Sequence, residues 1–549
     1  MQFALTYAPA VFDTRTRMMG RQAAGEGFLR AALAAGPERI WCYARTRAEA
    51  EAFGRDARRL HPHPPEIRFI SWGQPARLLQ AGTLFRPDPG LADDAWRRQR
   101  AAEARSWSIC GITHTLSSKA AMDCVPALVR APLQSWDALI CTSTAARDVL
   151  RHGLEAEIEY LRSRFGAAHI PMPQFPLIPL GVHPEAFAFP PGTRDAARAH
   201  LGLAESDVAV LFAGRLSFHV KAHPAPMFLA LEAAASRSHV PLHLILFGLF
   251  PSEPVAAAFR EEAAQLAPSV RLHVLDGRSD IDRDRAWSAA DIFTSLADNL
   301  QETFGLTPVE AMAAGLPVVV SDWDGYRDTV RNGIDGFRVP TLMAPPGTGE
   351  DIADQYEADS IDYDRYVGSA CLLTAVDVEA ATDAYAKLIE SPDLRRQMGE
   401  AGRRRAKTTY DWSLVFRRYV ALWDELAERR RADVATPGER IRARRPERPD
   451  PFTLFRTYPT AVLRDESQIS LIGQLGPRDA MMRRDLKSVA FAQSLLPSDR
   501  LVHDLFSQLA HEGTATLVKL RVSLPNHTPA SVLRAVLLLA KIGVLRVVP

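Results

Sequence analysis

The sequence predicts an α/β protein: two successive domains, each built around a parallel sheet, followed by a small, mainly helical module. Three observations carry this. Short apolar runs alternate with helical stretches twice, once before about residue 185 and again from Val208 onward. That is the pattern of buried parallel strands joined by crossover helices. An Arg-, Glu- and Pro-rich stretch from Thr436 to Pro451 interrupts the globular pattern and reads as an exposed linker. At 549 residues the chain is too long for one core.

The elements follow in order. In the first domain (1–185), residues 3–7, 40–44, 67–72, 138–142 and 177–180 read as strands, and 25–33 and 144–152 as helices. In the second (186–411), the strands are 208–213, 242–247, 270–275, 292–296 and 317–321. Helices at 225–236, 255–265, 283–290 and 308–314 fill the gaps. Residues 341–368 break the rhythm with a Pro- and Gly-rich opening, then acids and tyrosines, including Asp359, Tyr356 and Tyr363. They read as a long surface insertion. A long helix is expected at 412–431 and a linker at 432–451. The tail, 452–549, offers helices at 498–512 and 529–541 and a strand at 544–548, a winged-helix-like order. Its second helix, SVLRAVLLLAK, is mostly apolar. That favours packing or self-association over DNA reading, so nucleic acid is not an expected partner.

Composition excludes several classes. Hydrophobic content of 47% and charged content of 24% are ordinary for a globular chain. A net charge of +1 gives no global pull toward nucleic acid or anionic lipid. The five cysteines are scattered, with no CxxC pair, which argues for free thiols and against a zinc site. The first residues read as a strand, not a signal peptide, and no apolar run is long enough to span a bilayer. The expected location is cytoplasmic; the basic stretch 403–445 leaves peripheral contact with the inner membrane face open.

The most informative motif is QETFGLTPVEAMAAG, residues 301–315. Thr307-Pro308 reads as an N-cap with proline in the first turn. Glu302 then lies in the preceding loop and Glu310 in the first turn, with Phe304, Gly305 and Leu306 between them. Free N–H groups there suit phosphate or sugar oxygens. The alternative is a plain capping box, with Glu310 bonding the cap backbone, but capping does not require Glu302 or Phe304-Gly305.

Upstream, Arg215 follows a strand and Gly214, and Lys221 comes six residues later. At a strand end they would neutralise a diphosphate; otherwise they are a solvated basic pair. Gly25 and Gly27 lie in a glycine-rich stretch between the first strand and a helix. They read as a turn that lets backbone approach a ligand, or as tight packing. His114 sits at a strand end, as a ligand contact or a structural donor. Asp322, Asp324 and Asp328 hold hydroxyls or cap a helix, and Asp280 and Asp282 read as a cap.

Together these motifs resemble glycosyltransferase family 4, retaining enzymes of the GT-B fold. The resemblance rests on IPLGVHPEAF, AGRLSFHVK, AADIFTSL, ETFGLTPVEAMAAGLPVVVSD, NGIDGFRV and YDW, and covers roughly residues 1–431. It implies two Rossmann-like domains facing a cleft, the first on the acceptor side and completed by the 412–431 helix. It implies transfer of a sugar from a UDP-, GDP- or ADP-sugar to an acceptor hydroxyl, with no metal and no further cofactor. Glu302 would contact donor sugar hydroxyls and Glu310 the ribose. Arg215 and Lys221 would bind the diphosphate, and Gly305-Leu306 would offer amides. His114 would lie near the donor sugar, and Gly25 to Gly27 would form a closing loop. The acceptor, whether glycan, lipid-linked or protein, is not specified. Three features depart from the family: an Arg–Lys gap one residue longer than usual, the insertion, and the tail. The alternatives are a non-catalytic GT-B scaffold and an epimerase- or phosphorylase-like enzyme.

Overall fold

A computed structural model describes residues 2–12, 20–433 and 444–549. The chain divides into two compact units, Met1–Arg444 and Arg445–Pro549. Half of the expected linker 432–451, residues 434–443, lies outside the described residues.

The first unit holds two six-stranded sheets. One comprises β1 (Ala4–Thr6), β2 (Arg39–Ala44), β3 (Glu66–Ser71), β4 (Thr83–Phe85), β5 (Ser108–Ile112) and β6 (Ala138–Ile140), in the order β3-β2-β1-β4-β5-β6. The other comprises β7 (Val208–Arg215), β8 (Leu242–Leu249), β9 (Arg271–Asp276), β10 (Ile292–Ser295), β11 (Val318–Ser321) and β12 (Gly336–Val339), in the order β12-β11-β10-β7-β8-β9. Every pairing in both sheets is parallel. The two sheets thus share one winding, which reverses direction beside β1 and beside β7. A crevice opens at the carboxyl ends of the strands at each reversal.

The helix Trp412–Ala432 is built on the first sheet's core. Phe416 and Trp423 meet Phe3, and Phe416 and Tyr419 meet Phe28, with ring centroids 4.7–6.3 Å apart. Burial of such aromatic surface is the main force fixing this helix in place.

Two expectations change. Residues 177–180 form no strand; Leu177 makes one parallel bridge to Cys141. Pro176 and Pro179 have no N–H to donate to a ladder. The insertion is folded rather than a loop. β13 (Thr341–Met343) pairs antiparallel with β14 (Thr374–Val376), enclosing helices Glu350–Glu357 and Tyr363–Cys371. Buried Tyr356, Val367 and Cys371 anchor it, and Asp362 caps the second helix by accepting from the Arg365 amide at 2.9 Å. These few apolar anchors are spaced among so many acids that the sequence shows no clear period.

The second unit has a three-stranded antiparallel sheet, β15 (Gln468–Leu471), β16 (Thr514–Thr516) and β17 (Leu545–Val548), in the order β16-β15-β17. Helices Asp499–Glu512 and Pro529–Lys541 bury Val502, Leu505, Val532, Val536 and Leu539 against it. Among the described residues no helix is long and apolar enough to cross a membrane.

Candidate functional site

The site is built at the winding reversal of the second sheet, where β7 ends in Arg215 and the loop after β10 carries Glu302. The helix after that loop runs Leu306–Ala314, two residues earlier than the capping box requires. Its N-cap is Gly305, with φ at +86°. A side chain there would be strained and would also collide with the Tyr326 ring. No side chain caps the helix, so its leading N–H groups are left for another acceptor. Thr307 is not the cap: its hydroxyl is buried without a partner. Phe304 is 2% exposed and packs near Tyr410, so it offers only backbone to a ligand.

Three of the expected groups converge here. Lys221 Nζ donates to Glu302 Oε2 at 2.6 Å. Glu302 Oε1 accepts from the amides of Gly305 at 3.1 Å and Thr303 at 3.3 Å. Burial alone would neutralise Glu302, but the Lys221 charge and these donors outweigh it and hold the carboxylate below its ordinary range. Arg215 is different. Its guanidinium donates to the Val220 carbonyl at 3.3 Å and has no carboxylate hydrogen-bond partner among the described residues. Burial lowers its pKa, and Tyr363, Asp364 and Glu302 are its electrostatic neighbours.

Two carboxyl groups are held toward the neutral form. Glu310 is pushed up to about 7 by burial, against the nearby charges of Arg283 and Lys221. Asp324 is raised well above its usual range by burial and by the Glu302 charge. It also has φ at +35° and a buried oxygen without a partner. A non-glycine residue kept in that conformation marks a site whose surroundings enforce it. The sequence offers Asp324 only as one of three equivalent aspartates; the structure separates them. Asp322 pairs with Arg338 at 3.3 Å, and Asp328 accepts from the Thr144 amide at 2.5 Å. Asp280 and Asp282 occupy a helix's first turn, capped by Ser279.

The Glu310 shift has a testable sign. Its folded pKa lies above the ordinary 4.5, so charging it costs stability as pH rises from 4.5 through 7. Glu310→Gln should therefore stabilise the ligand-free protein by about 3 kcal/mol at pH 8 and about 1 kcal/mol at pH 5. Urea unfolding at both pH values measures this; an equal effect at both would contradict it.

In the first domain, His114 Nε2 lies 3.1 Å from the Pro87 carbonyl and donates to it. Burial, with Arg21 nearby, lowers its pKa to about 4, so it is neutral at pH 7. It lines a small cavity of about 20 Å³ with Arg21, Phe28, Phe85 and Trp412. Gly25 and Gly27 do not form a turn. Both lie inside the helix Gly20–Ala34. A Cβ on Gly25 would come within 2.8 Å of the Val11 carbonyl oxygen, and one on Gly27 would run into the Trp412 indole. They serve close packing. Gly27→Ala should lower stability by about 1–3 kcal/mol through overpacking; thermal unfolding unchanged from wild type would contradict that role.

Residues 193–355 match the model of the family described as glycosyl transferases group 1. The chain is 28% identical over 284 residues to the D-inositol 3-phosphate glycosyltransferase of Geodermatophilus obscurus, covering 48% of this chain and 51% of that one. It is 28% identical over 166 residues to the MMP alpha-(1->4)-mannosyltransferase of Mycolicibacterium hassiacum, covering 30% and 32%. The chain thus spans about half or less of the length of these relatives. Among solved structures, a glycosyltransferase from Rickettsia africae superposes with a TM-score of 0.53 at 14% identity, covering 77% of this chain and 98% of that one. Anabaena HepE in complex with UDP gives 0.50 at 16%, covering 77% and 100%. The fold is GT-B.

Proposed function

We propose that this protein is a glycosyltransferase that moves a sugar from a nucleoside-diphosphate sugar to an acceptor hydroxyl, retaining the anomeric configuration and using no metal. The observation that carries the reading is Arg215: a largely desolvated guanidinium at a strand end, with no carboxylate hydrogen-bond partner among the described residues, and with Glu302, in the loop before an uncapped helix N-terminus, as its electrostatic neighbour. That arrangement suits a diphosphate, which arginine can grip with two parallel hydrogen bonds.

Positive charge develops at the anomeric carbon as the bond to the diphosphate breaks. Glu302, fixed by Lys221 and two amides, accepts from donor sugar hydroxyls. Arg215, Lys221 and the helix amides stabilise the charge growing on the leaving diphosphate. Glu310 holds the ribose hydroxyls, and their hydrogen bonds to its oxygens favour the carboxylate over the acid form. Among the described residues no side chain stands out as a nucleophile, and in this reading the departing phosphate takes the acceptor's proton in a front-face attack.

The names of the matched relatives and the family model support this reading. Incubation with UDP-, GDP- and ADP-sugars tests it. Release of a nucleoside diphosphate from one of them is expected. Binding without turnover would instead favour a scaffold, and turnover that requires inorganic phosphate a phosphorylase-like enzyme.

A further inference from the structure

The segment from β13 to β14 touches both walls of the cleft. On the second-domain side, Gly368 lies against His219, where a Cβ would come within 3.2 Å of the ring. Cys371 Sγ is 4.0 Å from the Phe218 carbonyl oxygen. Both contacts are to the loop between Arg215 and Lys221. On the first-domain side, the segment meets the loop that carries His114. The Lys119 amide donates to Tyr356 Oη at 3.1 Å. Lys119 Nζ donates to the Glu357 carbonyl at 3.3 Å, pairs with Asp359, and lies 5.0 Å from the Tyr356 ring centre. Tyr363 Oη is 2.9 Å from Ser117 Oγ and 3.3 Å from Thr115 Oγ1. Tyr363 opens the helix whose far end, Gly368 and Cys371, packs on the loop that follows Arg215, and it is an electrostatic neighbour of that guanidinium.

We propose that residues 341–376 form a clasp that holds the two domains together across the site, and that Tyr363 is a positioning residue whose hydroxyl relays between Ser117 and the anion held by Arg215. The second half rests on the diphosphate reading above; the first does not. The chemistry fits both parts. Hydroxyls of Thr115, Ser117 and Tyr363 each donate or accept, so Tyr363 can turn one bond toward an incoming phosphate oxygen without leaving Ser117 unsatisfied. The remaining links are single hydrogen bonds and an ion pair to Asp359, whose side chain is 86% exposed. Each is weak, so the clasp opens for substrate entry and recloses around it.

Hydrogen exchange on the full chain tests the clasp without any ligand. Tyr356→Phe combined with Tyr363→Phe removes two oxygens and leaves both rings in place. The peptide spanning 114–122 should exchange about tenfold faster in this variant, with the melting point within about 2 °C of wild type. Unchanged exchange would overturn the clasp. Calorimetric titration with UDP, GDP and ADP tests the positioning role. For whichever diphosphate binds best, Tyr363→Phe should weaken affinity about threefold to tenfold, while Tyr356→Phe changes it less than twofold. Equal affinity in Tyr363→Phe overturns the positioning role. If wild type binds none of the three, the diphosphate reading fails and the positioning role falls with it; the exchange result still decides the clasp.

Discussion

Arg215→Ala should weaken binding of a nucleoside diphosphate by roughly 10- to 100-fold, with little change in stability. The size follows from losing charge-assisted hydrogen bonds, each worth about 1.5–3 kcal/mol. The small effect on stability follows from what Arg215 lacks. Among the described residues it makes one hydrogen bond, to the Val220 carbonyl, and no carboxylate depends on it. Removing it strands no charge and relieves a desolvated one. Calorimetric titration and urea unfolding of the same preparation separate the two effects. Affinity within twofold of wild type would remove Arg215 from the site.

Glu302→Ala should behave in the opposite way. It should abolish turnover and also destabilise the protein by about 2–4 kcal/mol, because Lys221, 13% exposed, then sits largely buried without its partner. The amides of Gly305 and Thr303 lose their acceptor in the same step. Inactivity of this variant is therefore ambiguous by itself. The double variant Lys221→Met with Glu302→Leu removes both charges and should recover most of the lost stability while remaining inactive. Urea unfolding of the single and double variants checks this. A loss below about 1 kcal/mol in Glu302→Ala would show that the pair is not the buried link described here.

The alternating apolar runs made most of the two sheets legible, since a strand buried on both faces must be apolar throughout. β4 and β12, of three and four residues, are too short to show a pattern. The segment 177–180 is apolar, but Pro179 within it and Pro176 just before it break the ladder. Glu302 was legible because no capping rule explains it. Glu310 stood out by its spacing, although the role that spacing first suggests, closing a capping box, belongs to a helix start two residues away from the real one.

Gly25 and Gly27 misled for a physical reason. Glycine serves both tight turns and tight packing, and only the partner distinguishes them. That partner, Trp412, lies hundreds of residues away in sequence. Asp324 and Tyr363 could not be singled out either. The first is one of three nearby aspartates, and its strained backbone is a tertiary effect. The second lies in a segment whose place beside Arg215 depends on the folded hairpin β13–β14.

Thermal unfolding of the wild-type chain and Arg215→Ala with UDP-, GDP- and ADP-sugars, and with the matching nucleoside monophosphates, tests the central claim most directly. A ligand that binds only the folded state raises the melting point. At least one diphosphate sugar should raise it in the wild type, the monophosphates should do so far less, and the shift should vanish in Arg215→Ala. No shift with any diphosphate sugar, or the same shift in Arg215→Ala, would contradict the account.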